Sequence, residues 1–328
     1  MDLVTAELMR GAYLSIPAAF RGMPQFVSEP LSELIGAPVV VKAETANPIG
    51  CFKGRGTWLA IAELARRGEV GERMGVVVAS AGNFGQGVAY ACRAFGVPSI
   101  VVAATTANPA KIDAMRRLGA DVRLVGEDFD VARAAATDLA RETGQRLLVD
   151  GQDPWMAIGA GTIAMELTEA MGRGELPSLS AVYVPVGNGS LIAGIGTWLR
   201  AAAPAVRVIG VQAARAAAMT LSWAAGRAIE TERADTVADG IAARVPVAEA
   251  LELMLNVVDE MLLVEEEEIL GATGQLSAVL PFKVEPAAGT AWAALRRAPQ
   301  GDRPVALVLT GGNVAHLAVS ADTPRSPD

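Results

Sequence analysis

The sequence predicts an α/β protein in which mostly parallel sheets are flanked by helices. Short runs rich in valine and isoleucine alternate with longer, alanine-rich stretches that suit helices. Most of these runs are apolar throughout rather than at every second position, as expected for strands covered on both faces. The 328 residues leave room for two domains, and no Pro/Gly/Ser-rich linker separates two halves. A second domain is therefore expected as an insertion within the first.

The alternation of strands and helices continues along most of the chain. β-Branched residues pack well on a pleated sheet, whereas alanine favours helix. The predicted strands are Gly75–Ala79, Ser99–Ala103, Asp121–Val125, Arg146–Val149, Ala181–Val186, Arg207–Val211 and Val305–Leu309. The predicted helices are Asn83–Phe95, Pro109–Leu118, Val131–Arg141, and further helices that begin near Pro154, at Ser190 and at the acidic run Glu265–Glu268. Acidic side chains suit the positive end of a helix dipole.

Charge and rare residues exclude several classes of protein. A net charge of −8 argues against a nucleic-acid partner, which requires a basic face. His316 is the single histidine, so a zinc site with several histidine ligands is impossible. Cys51 and Cys92 lack CxxC spacing and indicate a reducing compartment. No uncharged apolar run of about 18 residues and no signal peptide is recognised, so we expect a cytoplasmic protein without a membrane partner.

Four segments interrupt the pattern of core strands and helices, and the first is the loop NPIGCFKGRG at Asn47–Gly56. It holds one lysine, Lys53, among small and apolar residues. A lysine with apolar neighbours can lose its proton and attack a carbonyl group. Taken alone, the segment fits better with a surface lysine whose stem lies along apolar groups.

The second segment is SAGNFGQG, which directly follows the strand Gly75–Ala79. A turn of this composition at the start of a helix presents unpaired backbone N–H groups and a positive dipole end. Such a turn can bind a carboxylate or a phosphate. A helix cap formed by Ser80 or Asn83 explains the same residues equally well.

The third segment is GNGSL, which follows the strand Ala181–Val186. Its glycines allow the backbone to approach a ligand at the N-terminus of the next helix, as a phosphate cradle requires. It is not a Walker loop, because no Gly-Lys-Ser/Thr follows. It is not a dinucleotide fingerprint, because Ile192 replaces the third glycine.

The fourth segment is LTGGN, in which Thr310 ends the last predicted strand. Alone it would be an ordinary strand-to-helix turn. Together, the four segments supply a lysine, a phosphate cradle, a carboxylate-binding turn and a hydroxyl at the ends of strands. This is the set that a pyridoxal phosphate site requires, with an imine at the lysine and the hydroxyl facing the pyridine nitrogen.

The chain resembles the fold-type II pyridoxal phosphate enzymes, and among them the threonine/serine dehydratases (ammonia-lyases), which are related to the serine racemases. The resemblance extends from about Leu31 to Leu317. The segment Lys42–Gly56 is similar to the family's Schiff-base motif Ser-Phe-Lys-x-Arg-Gly, with Cys51 in place of the serine. SAGNFGQG is similar to the substrate loop, with Phe84 where many members have histidine, and GNGSL and LTGGN look like the phosphate loop and the segment at the pyridine nitrogen.

The resemblance implies a two-domain fold like that of the tryptophan synthase β subunit, with each domain a mostly parallel sheet flanked by helices. Residues 1–65 and 145–328 would form a large cofactor-binding domain. Residues 66–144 would form a small inserted domain that carries the loop for the substrate carboxylate. A homodimer is the expected assembly.

The resemblance also assigns roles to residues. Lys53 would hold the cofactor as an imine and, once released by substrate, would remove the Cα proton. The implied cofactor-binding residues are Phe52, Lys53, Asn83, Gly187, Asn188, Gly189, Ser190, Leu191 and Thr310. The implied substrate-binding residues are Ser80, Ala81, Gly82 and Asn83. The stretch Gln212–Ala218 has no carboxylate where some relatives hold a divalent cation, so we expect no divalent metal, whereas a monovalent cation held by carbonyl oxygens is compatible with the sequence.

The expected reaction converts a β-hydroxy-α-amino acid to a 2-oxo acid and ammonia. L-Threonine and L-serine are the default substrates, and Phe84 also suits a bulkier or aryl serine. Ala81 stands where racemases have a second acid/base, so little racemisation is expected. The alternatives are a β-replacement or threonine synthase-like reaction and, more remotely, a pyridoxal phosphate-binding protein without turnover.

Overall fold

The computed structural model describes residues 3–297 and 301–314. Within these residues ten strands form a six-stranded and a four-stranded sheet. The strands are β1 Gln25–Val27, β2 Val39–Ala43, β3 Val76–Ala79, β4 Ser99–Ala103, β5 Asp121–Leu124, β6 Arg146–Leu147, β7 Ala181–Pro185, β8 Arg207–Ala213, β9 Glu260–Val264 and β10 Val305–Leu309.

Twelve α-helices in the same residue ranges flank the two sheets, which confirms the predicted α/β class. They are α1 Ala6–Tyr13, α2 Glu29–Ile35, α3 Lys53–Arg66, α4 Asn83–Phe95, α5 Pro109–Arg117, α6 Phe129–Thr143, α7 Pro154–Gly172, α8 Ser190–Ala202, α9 Ala218–Ala225, α10 Ala248–Val257, α11 Glu266–Val279 and α12 Pro286–Leu295. The acidic run predicted to open a helix does so at α11, where Glu265 and Glu268 form a capping box.

The larger sheet has the strand order β1-β2-β10-β7-β8-β9. All its pairings are parallel except that of β1 with β2. The late strand β10 lies between β2 and β7, and every residue of these three strands is buried. Its continuous apolar sequence therefore reflects cover on both faces, as predicted. β2 and β9 were not predicted: β2 carries a charged residue, Lys42, and β9 is only half buried.

The smaller sheet is parallel throughout, with the order β5-β4-β3-β6. β3 and β4 are buried, but β5 is mostly exposed at the edge of the sheet. The expectation of cover on both faces is therefore wrong for β5, because an edge strand has one neighbour and borders solvent. The split of the chain into two domains stays a prediction. β6, which pairs within the smaller sheet, lies just past the predicted boundary at residue 144.

Glycines allow the helices α3, α7 and α8 to approach one another closely. A Cβ on Gly194 in α8 would lie 2.0 Å from the carbonyl oxygen of Ala157 in α7. A Cβ on Gly159 in α7 would lie 2.5 Å from the backbone nitrogen of Gly56 in α3. Larger side chains at these positions would push the helices apart. The helix that begins with the lysine and the helix that follows the GNGSL loop therefore both pack against α7.

A buried cluster of two cations and two carboxylates ties the start of α3 to β2 and α7. The Arg55 guanidinium donates two hydrogen bonds to Glu44, both 2.8 Å long, and two to Glu166, of 2.7 and 2.9 Å. Lys42 donates to Glu166 and to the carbonyl oxygen of Met23. Arg55 is two residues past Lys53 and is completely buried. The charges balance within the cluster, as buried charges require.

Replacing Glu166 with glutamine should destabilise the protein, because two buried cations would then share one carboxylate. Breaking such a buried pair typically costs about 3–5 kcal/mol. Urea unfolding of Glu166→Gln against the wild type measures the loss. Glu169→Gln is the matched control, since Glu169 is exposed on the same helix. Equal losses in both variants would contradict a special contribution from the cluster.

The same carboxylate should make stability depend on acid pH. Burial opposes ionisation of Glu166, yet Arg55 and Lys42 lower its pKa from 4.5 to about 2. Because the pKa is lower in the folded than in the unfolded chain, ionised Glu166 stabilises the fold above about pH 4.5, and this contribution is lost as the pH falls towards about 2. Unfolding free energies measured across this range should fall more steeply in the wild type than in Glu166→Gln. Parallel pH profiles would disprove the assignment.

Candidate active site

A cavity of about 630 Å³ lies where strands of both sheets end. Ser80 follows β3, Asp150 follows β6, Gly187 follows β7 and Thr310 follows β10, and all four line the cavity. The carboxyl ends of parallel strands form the usual ligand crevice of open α/β sheets. The structure thus brings together, around one cavity, the four segments that the sequence singled out.

Lys53 is the first residue of α3, and its side chain is 13% exposed. Its Nζ lies 4.7 Å from the ring centre of Phe52 and 5.9 Å from that of Phe84. The Gly54 that follows is required by packing, since a Cβ there would lie 2.2 Å from the ring of Phe20. The amine therefore stands in the cavity between two aromatic rings, at a position fixed by the helix start.

The carboxylate of Asp150 pairs with Lys53, a contact that sequence reasoning missed. Its two oxygens lie 2.8 and 2.6 Å from Lys53 Nζ, and Asn188 Nδ2 donates to one of them at 3.2 Å. The sequence did contain a signal for this site residue: Asp150 is acidic and directly follows the predicted strand Arg146–Val149. The carboxyl ends of such strands are where site residues collect.

The turn Ser80–Asn83 lies at the N-terminus of α4. Ser80 Oγ accepts hydrogen bonds from the backbone N–H groups of Gly82, at 3.2 Å, and Gly85, at 2.9 Å. Ser80 therefore organises the turn in the manner of a helix cap. A second missed residue, Lys111, lies nearby: its ammonium is 3.9 Å from the position of a Cβ on Gly82 and 2.5 Å from Asp239. Lys111 is only 6% exposed, so the turn carries a sheltered positive charge that suits an anion.

A hydrogen-bond network fixes Asn83 at the edge of the cavity. Its Nδ2 donates to Glu285 at 2.7 Å, and its Oδ1 accepts from Asn313 Nδ2 at 2.8 Å. Glu285 also accepts from the backbone N–H of Asn313, at 3.2 Å. Burial raises the pKa of the Glu285 carboxyl, although Lys111 opposes this effect. An amide nitrogen carries two hydrogens, so Asn83 retains one for a ligand oxygen.

The loop Gly187–Leu191 connects β7 to α8. Gly189 has a φ of +95° and precedes a helix start that no side chain caps. A Cβ on Gly189 would lie 2.6 Å from Met254 Sδ. The bare amides and the positive end of the α8 dipole therefore face a ligand rather than a capping side chain. This arrangement fits a phosphate group.

Thr310 follows β10, which pairs with the strand β7 that leads into this loop, and it is 4% exposed. Its carbonyl oxygen accepts from the backbone N–H of Phe52 at 3.0 Å, and Gly311 pairs with Cys51 in an isolated bridge. Burial raises the pKa of the Cys51 thiol to about 12, so it stays protonated and serves as packing. The last strand and the lysine loop are thereby held side by side. Amine, uncapped loop and hydroxyl together fit pyridoxal phosphate.

Two further expectations concern features outside this cavity. His316 lies outside the described residues. Between residues 3 and 297 and between 301 and 314, no group of three or more His, Cys, Asp or Glu side chains could hold a metal ion. Over the same stretches, no helix combines the length and apolar character needed to cross a membrane.

Fold and site together define the class of fold-type II pyridoxal phosphate enzymes. The family model for pyridoxal-phosphate dependent enzymes matches residues 17–311, and the chain belongs to this family. Pyridoxal phosphate is accordingly its cofactor.

Individual relatives agree with the family assignment. L-Threonine ammonia-lyase of Thermotoga maritima is 37% identical over 313 residues, which cover 95% of this chain and 76% of the relative. The solved structure of the processed form of threonine deaminase isoform 2 from Solanum lycopersicum is 30% identical with a TM-score of 0.86, covering 95% of this chain and 90% of that one. A pyridoxal 5'-phosphate-dependent aspartate racemase is 28% identical with a TM-score of 0.87, covering 95% and 96%.

Replacing Gly189 with alanine should weaken cofactor binding. A left-handed backbone costs an alanine about 1–2 kcal/mol, which corresponds to roughly tenfold in affinity, and the contact with Met254 adds to this. Titration of the apoprotein with pyridoxal phosphate, followed by absorbance, measures the change. Gly271→Ala is the control, because a Cβ at Gly271 meets nothing within 4 Å. Unchanged affinity in Gly189→Ala would remove the loop from the phosphate site.

Proposed function

We propose that this chain is an ammonia-lyase that converts a β-hydroxy-α-amino acid to a 2-oxo acid and ammonia. The observation that carries the proposal is the 37% identity, over 95% of the chain, with a protein named L-threonine ammonia-lyase. L-Threonine and L-serine are the first substrates to consider.

Lys53 is proposed as the attachment point of the cofactor and as the base. When bound, the cofactor supplies an electron sink for the electron pair left at Cα. Once the substrate has taken its place, the free Lys53 amine accepts the Cα proton, and the electron pair of that C–H bond forms a Cα–Cβ double bond as the β-hydroxyl takes the C–O pair and a proton and leaves as water. Addition of water to the product then releases the 2-oxo acid and ammonia. Thr310 would offer a bound cofactor a neutral hydroxyl rather than a carboxylate, which would favour prompt loss of the leaving group. Gly187, Asn188, Gly189, Ser190 and Leu191 would hold the phosphate.

The substrate carboxylate is assigned to the turn Ser80–Asn83. The buried ammonium of Lys111 beside Gly82 adds a charge that the sequence alone did not assign. Phe84 is 6% exposed and lines the cavity close to Lys53. An apolar wall at this position favours a methyl or aromatic β-substituent over a charged one.

Ala81 supports elimination over racemisation. It lines the cavity in the turn, and a methyl side chain can neither give nor take a proton on the second face of Cα. The same proposal includes a homodimer, a cytoplasmic location, and the division into a domain of residues 1–65 and 145–328 and an inserted domain of residues 66–144.

Reductive trapping should place the cofactor on Lys53. Borohydride treatment of the holoenzyme followed by peptide mapping is expected to give one modified lysine at this position, and Lys53→Ala should form no detectable 2-oxo acid. Lys283→Ala, which removes an exposed lysine, serves as control. A label on Lys283 or Lys111 would overturn the assignment.

A panel of β-hydroxy amino acids, assayed for 2-oxo acid and ammonia, tests the reaction itself. L-Threonine, L-serine and an aryl serine are compared with O-acetyl and O-phosphoryl donors offered together with a thiol. Release of a 2-oxo acid from at least one free β-hydroxy acid is expected. Turnover of the activated donors alone would make the protein a β-replacement enzyme.

A further inference from the structure

The ion pair between Lys53 and Asp150 places a carboxylate directly on the reacting amine. Among the described residues, Asp150 is the carboxylate within salt-bridge distance of Lys53. Its side chain is 16% exposed, so the pair is largely shielded from water. A charge-assisted contact of 2.6–2.8 Å in such surroundings is strong.

The carboxylate is held in place from two sides. Asn188 donates to Asp150 Oδ2 from the proposed phosphate loop. Gly151 has a φ of +89°, and a Cβ at this position would lie 3.2 Å from Asn188 Cβ. The turn after β6 therefore passes close to the glycine loop, where a larger residue than Gly151 would collide with Asn188. Two other carboxylates that line the cavity, Glu285 and Asp239, are engaged with Asn83 and Lys111.

We propose that Asp150 is a further catalytic residue, which supplies the counter-charge whenever Lys53 carries a proton. This inference rests on the proposed elimination, in which Lys53 is the base. The proton passes from Cα to Lys53 Nζ, and the electron pair of the broken C–H bond stays with the substrate. Asp150, whose oxygens lie 2.8 and 2.6 Å from Lys53 Nζ in the structure, gives up and takes up no proton in this step, and its negative charge offsets that of the ammonium.

The counter-charge has opposite effects on two separate events. An ammonium cannot attack an aldehyde, so Lys53 must lose its proton before it binds the cofactor, and Asp150 opposes this loss. During turnover Lys53 must gain a proton, and Asp150 assists this gain. A carboxylate that merely maintained the shape of the cavity would help both events.

The isosteric variant Asp150→Asn separates these effects. The apoprotein of this variant is mixed with pyridoxal phosphate at neutral pH, and the rate at which the cofactor attaches (the loading rate) is measured by visible absorbance. Loading should be faster than in the wild type. Its kcat, measured on whichever amino acid the wild type consumes, should fall by roughly 10²-fold, the usual scale for assisted proton transfer. The isotope effect with α-deuterated substrate should rise, because removal of the Cα proton becomes more rate-limiting.

Two controls make the outcome decisive. Gln152→Ala, on the same turn but with its amide paired to Glu249 at the surface, should match the wild type in both rates. Asp150→Glu keeps the negative charge, so it should bind the cofactor more slowly and turn over substrate faster than Asp150→Asn. If Asp150→Asn folds poorly, the comparison of Asp150→Glu with the wild type still tests the effect of the charge.

Slower loading together with slower turnover in Asp150→Asn would overturn the proposal, and so would an unchanged kcat with an unchanged isotope effect. The loading rate involves no amino acid substrate. If the wild type proves inactive on every β-hydroxy amino acid, the proposed function fails, whereas the loading experiment still tests the effect of Asp150 on Lys53.

Discussion

The active site depends on the buried pairing of Arg55 with Glu44 and Glu166. Arg55 lies in the first turn of α3, two residues after Lys53, and its guanidinium uses both carboxylates as fixed anchors. Glu44 directly follows β2, and Glu166 belongs to α7, so three elements meet at one side chain. An exposed ion pair can separate at little cost in free energy. A buried pair must keep its hydrogen-bonded geometry, because only that geometry offsets the cost of removing its charges from water. The position of Lys53 is therefore set by electrostatics inside the core rather than by the loop that carries it.

Close helix packing then brings the other half of the site to the lysine. The α3–α7 and α7–α8 contacts both depend on glycines, where a side chain would clash with backbone. β10 sits at the centre of the larger sheet and ends at Thr310, beside the loop of Phe52. The proposed phosphate loop, the lysine and the hydroxyl thus belong to neighbouring elements around the larger sheet. The turn Ser80–Asn83 follows β3 of the smaller sheet and lines the same cavity.

Sequence patterns predicted the parts of the fold where local preference and burial agree. α4, β4 and β10 have the predicted bounds, because β10 is apolar throughout, β4 is apolar after Ser99, and the helix ends at a glycine, Gly96. β2 was missed because Lys42 interrupts its apolar run. Lys42 is buried with partners that the local sequence does not reveal, namely Glu166 and the carbonyl oxygen of Met23. Lys111 and Asp150 were missed for a related reason. In the sequence each resembles a surface charge, because its partner is distant along the chain: Asp239 lies 128 residues from Lys111, and Lys53 lies 97 residues from Asp150. The glycine-rich segments could be recognised because the features that define them, a turn rich in glycine directly after an apolar strand, lie within a few consecutive residues.

The charges around the cavity also bear on which substrates fit it. Lys53 is paired with Asp150, Lys111 is paired with Asp239, and burial raises the pKa of Glu285. The cavity therefore offers little surplus positive charge near the amine. Incoming anions must be met mainly by the helix N-termini at Gly189 and Gly82. These places account for one phosphate and one carboxylate, whereas a second anionic group next to Lys53 would face Asp150. Electrostatics thus favours an amino acid whose β-substituent is a neutral hydroxyl over one that carries a phosphate ester.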